Sequence, residues 1–131
     1  MPGGESLGVV IAGDIPFLRV LLKMAIEDAG LDVLAETTNA TELLDTCIKM
    51  NPDIVLLDLD LSESDNIRIV EDLLDIDPGI SIIAMTELVD GECEKMLASG
   101  ARAFLQKPFS MYDLIDLIRK VAPDQRLRAP L

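Results

Sequence analysis

Residues 52–60 read Pro-Asp-Ile-Val-Leu-Leu-Asp-Leu-Asp, and the folding of that stretch decides how the rest of the chain is arranged. Ile54, Val55, Leu56 and Leu57 form an apolar run too short for a helix, opening just after a turn signal at Asn51-Pro52. Such a run is expected to be a strand buried on both faces. It carries Asp58 to its carboxyl end. In an open parallel sheet, chemistry gathers in the crevice beyond the carboxyl ends of the strands, so a carboxylate there is a candidate functional group. The plainer reading is that Asp58 starts a turn or caps the next helix, and what separates the two is whether other side chains converge on it.

Upstream, residues 8–12 read as a first strand closed by Gly13-Asp14. Pro16 suits the first turn of a helix in which Phe17, Val20, Leu21 and Met24 recur at helical spacing, and Gly30 ends it. Residues 31–37 alternate Leu31, Val33 and Ala35 with Asp32 and Glu36, a half-polar pattern expected at a sheet edge. Asn39 with Glu42 resembles an N-cap pair, and Leu43, Leu44, Cys47 and Ile48 follow on a second helix.

Downstream, residues 61–65 are a polar loop, and Ile67, Val70, Leu73 and Leu74 mark a helix stopped by Asp77-Pro78-Gly79. Residues 80–85, apolar apart from Ser81, form a second such strand that ends at Thr86. Residues 90–99 are a weaker helix with Cys93, Met96 and Leu97 inward and Gly100 as its stop. A short strand, 103–106, leads to Lys107-Pro108, and Ser110-x-x-Asp113 opens a last helix with Leu114, Leu117, Ile118 and Val121 on one face. The domain is expected to span residues 1–122, with 123–131 a tail or linker stub in which Arg126 and Arg128 decide nothing further. Five strands alternating with five helices make an α/β domain. Right-handed crossovers then require a parallel sheet with helices on both faces, and the polar second strand fits the order 2-1-3-4-5.

Composition narrows the function. The 131 residues make one domain that buries about two thirds of its unfolded surface. Half of them are hydrophobic, yet the longest uninterrupted apolar runs, such as 54–57 and 82–85, are four residues, far short of a membrane span. The N-terminus has no basic flank of a secretory signal, so a cytoplasmic protein is expected. Cys47 and Cys93 are in no metal-type spacing and read as buried thiols. The chain has no histidine, which removes Ser-His-Asp and Cys-His chemistry and histidine-held metals together. A formal charge of −13 argues against nucleic acid as a partner of this domain, since phosphate contacts need clustered Lys and Arg.

Asp14, Asp58, Thr86 and Lys107 each lie at the carboxyl end of a different strand in this reading. If those strands are neighbours, the side chains meet in one crevice. Their types suit phosphoryl transfer to a carboxylate: Asp58 as nucleophile, Asp14 as ligand of a Mg²⁺ ion, Lys107 as counter-charge and Thr86 as a hydroxyl donor to a phosphoryl oxygen.

The segments Val-Val-Ile-Ala-Gly-Asp ending at Asp14, Pro-Asp-Ile-Val-Leu-Leu-Asp ending at Asp58, Ile-Ile-Ala-Met-Thr ending at Thr86, and Lys107-Pro108-Phe109 resemble the receiver domain of two-component response regulators, the CheY-like family. The resemblance covers residues 7–121. It implies a flavodoxin-like (βα)5 fold, phosphorylation of Asp58 by a histidine kinase or phosphotransfer protein, and a Mg²⁺ site that includes the Asp60 main-chain carbonyl. It also implies that Phe104 moves with Thr86 and alters the face made by the fourth and fifth helices and the strand between them. Such a protein signals, and catalyses only its own phosphorylation and dephosphorylation.

Three departures from the family pattern stand out. Gly13 replaces a second acid beside Asp14, so Mg²⁺ binding is expected to weaken rather than vanish, because Mg²⁺ commonly keeps several waters and uses one or two carboxylates. Glu87 replaces a small residue, and its carboxylate either obstructs the donor or substitutes for the missing acid. Ser62 and Asn66 replace a Pro and a Gly in the loop after Asp58, with Asn66 able to adopt positive φ. These departures leave a second reading open, a degenerate receiver that acts by phosphorylation-independent protein contact. A third notes that Asp58-Leu-Asp60 resembles the Asp-x-Asp motif of haloacid-dehalogenase-type phosphatases, although there the motif lies on an early strand. The downstream target and a possible homodimer are left open.

Overall fold

Ile54, Val55, Leu56 and Leu57 are each 0% exposed, and they sit at the centre of a five-stranded parallel sheet. The structure, a computed structural model, describes residues 7–60, 65–87 and 91–123. Ser62, Asp90 and the tail from residue 124 onward lie outside them. In chain order the elements are β1 (Gly8–Ala12), α1 (Pro16–Asp28), β2 (Asp32–Thr37), α2 (Ala40–Met50), β3 (Ile54–Asp58), α3 (Asn66–Ile76), β4 (Ser81–Thr86), α4 (Gly91–Ser99), β5 (Ala103–Gln106) and α5 (Met111–Val121). The strand order is β2-β1-β3-β4-β5, as expected for the flavodoxin-like arrangement, and the half-polar β2 is an edge.

Strand alternation divides the core into two layers. Val10, Ala12, Val55, Leu57, Ile82 and Ala84 face one side, where Leu43 and Cys47 of α2, Val70 and Leu73 of α3 and Met96 of α4 cover them. Val9, Ile11, Ile54, Leu56, Ile83 and Met85 face the other, under Leu22 and Ile26 of α1 and Leu114 and Ile118 of α5. Both layers are needed because a parallel sheet is apolar on both faces. Cys47 and Cys93 are buried and form no disulfide, and burial pushes the Cys47 thiol up to about 11.

Local signals set the helix ends. Asn39 accepts a hydrogen bond from Glu42 N–H at 2.8 Å, while the Glu42 carboxylate accepts one from Thr38 N–H at 2.8 Å, a reciprocal cap. Ser110 Oγ accepts from Asp113 N–H at 3.0 Å at the start of α5. Gly30 and Gly100 follow α1 and α4 with φ of 84° and 121°, a region in which a Cβ is strained.

Three expectations need correction. Leu97 of α4, expected inward with Cys93 and Met96, is 38% exposed, while those two are buried. Phe17, Val20 and Met24 of α1 are 74%, 54% and 60% exposed, so the stripe singled out by its spacing faces solvent. The buried stripe is Leu22 and Ile26 with Leu18 partly covered, also at spacing of four. Asn66 is the first residue of α3 rather than a positive-φ loop residue; its side chain donates to Leu59 O at 3.2 Å.

Candidate functional site

The sheet register brings the strand ends together. Asp58 pairs with Met85 and Thr86 with Gln106, and the ladder runs one residue further through Lys107 N–H to Thr86 O at 2.8 Å and Leu59 N–H to Met85 O at 2.8 Å. These bonds hold Asp58, Thr86 and Lys107 at one rim. Gly13 N–H bonds Thr37 O at 2.9 Å in the same way at the end of β1, and Asp14 follows it, exposed to solvent.

Asp58 is 2% exposed. Lys107 Nζ donates to its Oδ1 and Oδ2, both at 2.9 Å, and Asp60 N–H donates to Oδ1 at 2.9 Å. A buried carboxylate needs such partners, because burying a charge without them is costly.

The Asp60 side chain stands in the middle of the site. Its Oδ1 accepts the Thr86 hydroxyl at 3.1 Å. Its Oδ2 accepts Glu87 N–H at 3.2 Å and Lys107 Nζ at 3.1 Å. Burial pushes the Asp60 carboxyl up, but the Lys107 ammonium, the Thr86 hydroxyl and Glu87 N–H outweigh it and hold the group below the usual carboxylate range. For Lys107, burial works against the ammonium, and hydrogen bonds and charge from Asp58 and Asp60 overcome it, raising its pKa. In the receiver reading of the sequence only the Asp60 main chain has a role. The signal that could have found its carboxylate is the Asp-x-Asp spacing itself, which places a second acid just past the strand end.

The other expected residues fall at the same rim or beside it. Glu87 joins through its backbone N–H, and the residue is exposed. Phe104 is partly buried against the layer under α2, α3 and α4, and pairs with Ala84 in β4. A Cβ built on Gly13 would lie 3.1 Å from Asp58 Cβ, so the glycine lets the two chains approach closely.

Among the described residues, no group of three or more His, Cys, Asp or Glu side chains has the spacing to hold a metal ion. The oxygen donors at the rim are nevertheless of the hard kind that Mg²⁺ takes, and two carboxylates with waters suffice for it. Asp58 and Asp60 against Lys107 also leave one negative charge in excess, which a cation would offset.

Comparison with known proteins bears on this arrangement directly. The family model of the response regulator receiver domain matches residues 9–119. The chain belongs to that family. It is 30% identical over 115 residues to the chemotaxis protein CheY of Thermotoga maritima, covering 87% of this chain and 96% of that protein. It is also 30% identical over 118 residues to the sporulation initiation phosphotransferase F of Bacillus subtilis, covering 88% and 93%. A solved CheY-like receiver domain from Methanospirillum hungatei superposes with a TM-score of 0.84 at 23% identity, covering 96% of this chain and all of that one. The receiver is thus a module of two-component signalling, and the phosphatase-like Asp58-x-Asp60 spacing starts at the end of the third strand of a receiver sheet and runs into the turn after it. Among the described residues no helix is long and apolar enough to cross a membrane.

Proposed function

We propose that this receiver accepts a phosphoryl group on Asp58 from a histidine kinase or phosphotransfer protein in the cytoplasm. Residues 1–122 are assigned to the receiver and 123–131 to a tail or linker stub. The observation that carries the reading is Lys107 Nζ at 2.9 Å from both Asp58 oxygens, with the Thr86 hydroxyl and Glu87 N–H at the same rim. An Asp58 oxygen attacks phosphorus, forming a P–O bond as the donor's P–N bond breaks; the electron pair leaves with the donor nitrogen, which takes up a proton. Lys107 offsets charge on the phosphoryl oxygens, and Thr86 and Glu87 donate hydrogen bonds to them. Hydrolysis by water returns the carboxylate.

The Asp14 and Asp58 carboxylates and the Asp60 main-chain carbonyl would hold Mg²⁺, with Gly13 leaving the site one acid short. When bound, the ion supplies positive charge against the phosphoryl oxygens. Thr86 and Phe104 then carry the change to the α4-β5-α5 face, since the Thr86 hydroxyl must turn to the new anion while Phe104 lies two residues before Gln106, the ladder partner of Thr86.

Acetyl phosphate with Mg²⁺ should raise the mass of wild type by one phosphoryl group and leave Asp58→Asn unchanged. Unmodified wild type after long incubation rejects the reading. A second reading, a phosphorylation-independent interaction module, draws on Gly13; it fails if Mg²⁺ binds at millimolar or lower concentration and Asp58→Ala abolishes the binding.

A further inference from the structure

The donors that a phosphoryl group on Asp58 needs are already engaged. The Thr86 hydroxyl, Glu87 N–H and Lys107 Nζ come from two places in the chain, the end of β4 with the residue after it and the residue after β5. All three converge on one carboxylate, that of Asp60, at 3.1, 3.2 and 3.1 Å. A hydroxyl, a backbone N–H and an ammonium aimed at one point form an anion cradle, and charge-assisted bonds of this kind are the strong ones.

Resting on the reading of Asp58 as phosphoacceptor, we propose that the Asp60 carboxylate is an internal anion that occupies the phosphoryl-oxygen site, and that a phosphodonor must displace it. The geometry supports displacement. Asp60 belongs to the turn after β3 and is partly exposed, with a side-chain exposure of 24%, so its side chain can swing outward without unpacking the core. Asp58, by contrast, is buried and fixed by the strand. Lys107 bridges both carboxylates, so it keeps Asp58 in place whichever anion fills the cradle. The same arrangement makes the cradle selective for charge, because a neutral side chain at position 60 gives Lys107 no counter-ion beyond Asp58.

The test compares wild type, Asp60→Asn and Asp60→Ala with Asp75→Asn, which removes an equal charge from an exposed position on α3. Orthophosphate is titrated without Mg²⁺ and followed at the Glu87 amide by NMR. Both Asp60 variants should bind it about tenfold more tightly than wild type, the size expected when one charge-assisted competitor is lost, and Asp75→Asn should bind as wild type does. With acetyl phosphate and saturating Mg²⁺, the initial rate of phosphorylation should rise about tenfold in Asp60→Asn, again by the loss of that one competitor. Equal orthophosphate affinity in wild type and the Asp60 variants overturns the proposal, as does an equal gain in Asp75→Asn. A slower rate in Asp60→Asn also overturns it, and points to Asp60 as a group that helps to hold the metal. If no variant gains a phosphoryl group, the reading of Asp58 fails, while the orthophosphate titration still decides the role of Asp60.

Discussion

Lys107 Nζ lies 2.9 Å from both carboxylate oxygens of Asp58, joining residues 49 apart in the chain. Their side chains are only 11% and 3% exposed, so removing the lysine leaves two neighbouring carboxylates without their shared cation. Lys107→Ala should lower unfolding stability by about 1–3 kcal/mol, the range for an uncompensated buried polar group. Asp58→Asn should fall within about 0.5 kcal/mol of wild type or above it, because Asp60 still balances the ammonium. Urea midpoints at constant m read both values. An equal loss in both variants contradicts this account of the cluster.

The pH dependence follows from the same bonds. Asp60 is held below the usual carboxylate range, so its contribution is complete above its unfolded value of about 3.9 and is lost as pH falls through the lower folded value. Lys107 is raised; its contribution is complete below its unfolded value of about 10.4 and is lost as pH climbs through the higher folded one. The stability difference between wild type and Asp60→Asn should therefore be flat from about pH 5 to pH 9 and shrink below about pH 4. A difference that grows on acidification contradicts the sign.

Gly13 sets the metal affinity. Mg²⁺ should bind wild type weakly, and Gly13→Asp should tighten it about tenfold by restoring a carboxylate to the oxygen donors. The gain has a limit, since a Cβ at this position lies 3.1 Å from Asp58 Cβ and the acceptor must yield by a few tenths of an ångström. Calorimetric titration of both proteins measures it; unchanged affinity in Gly13→Asp would show that the metal does not approach from the β1 side.

The two apolar stripes of α1 should behave oppositely. Leu22 is 1% exposed, and Leu22→Ala should cost about 2–5 kcal/mol through lost burial and the cavity left behind. Phe17 is 74% exposed, and Phe17→Ser should change stability by less than about 0.5 kcal/mol. Comparable losses on thermal unfolding would mean that Phe17 is packed in solution.

Most of the fold could be read from the chain because the strands at its centre declare themselves. Ile54 to Leu57 have no polar interruption and Ile80 to Met85 only Ser81, and Asn39, Ser110, Gly30 and Gly100 mark helix ends by their own side-chain or backbone chemistry. The face of α1 could not be read, since Phe17, Val20, Leu21 and Met24 share helical spacing with Leu18, Leu22 and Ile26; which stripe is buried depends on how the helix docks on the sheet. Asp14, Asp58, Thr86 and Lys107 could be placed because each ends a strand. The Asp-x-Asp spacing puts a second acid just past the strand end, but the direction of the Asp60 carboxylate could not be read, because period-two alternation stops at Asp58 and the following turn sets the direction of the next side chains.

The central claim is that Asp58 carries the phosphoryl group, and chemical trapping tests it most directly. Wild type treated with acetyl phosphate and Mg²⁺ is reduced with borohydride, which converts an aspartyl phosphate to homoserine, and the peptides are sequenced by mass spectrometry. The account predicts homoserine at position 58 alone, absent from Asp58→Asn. Homoserine at Asp14, Asp53 or Asp60, or at no position, contradicts it.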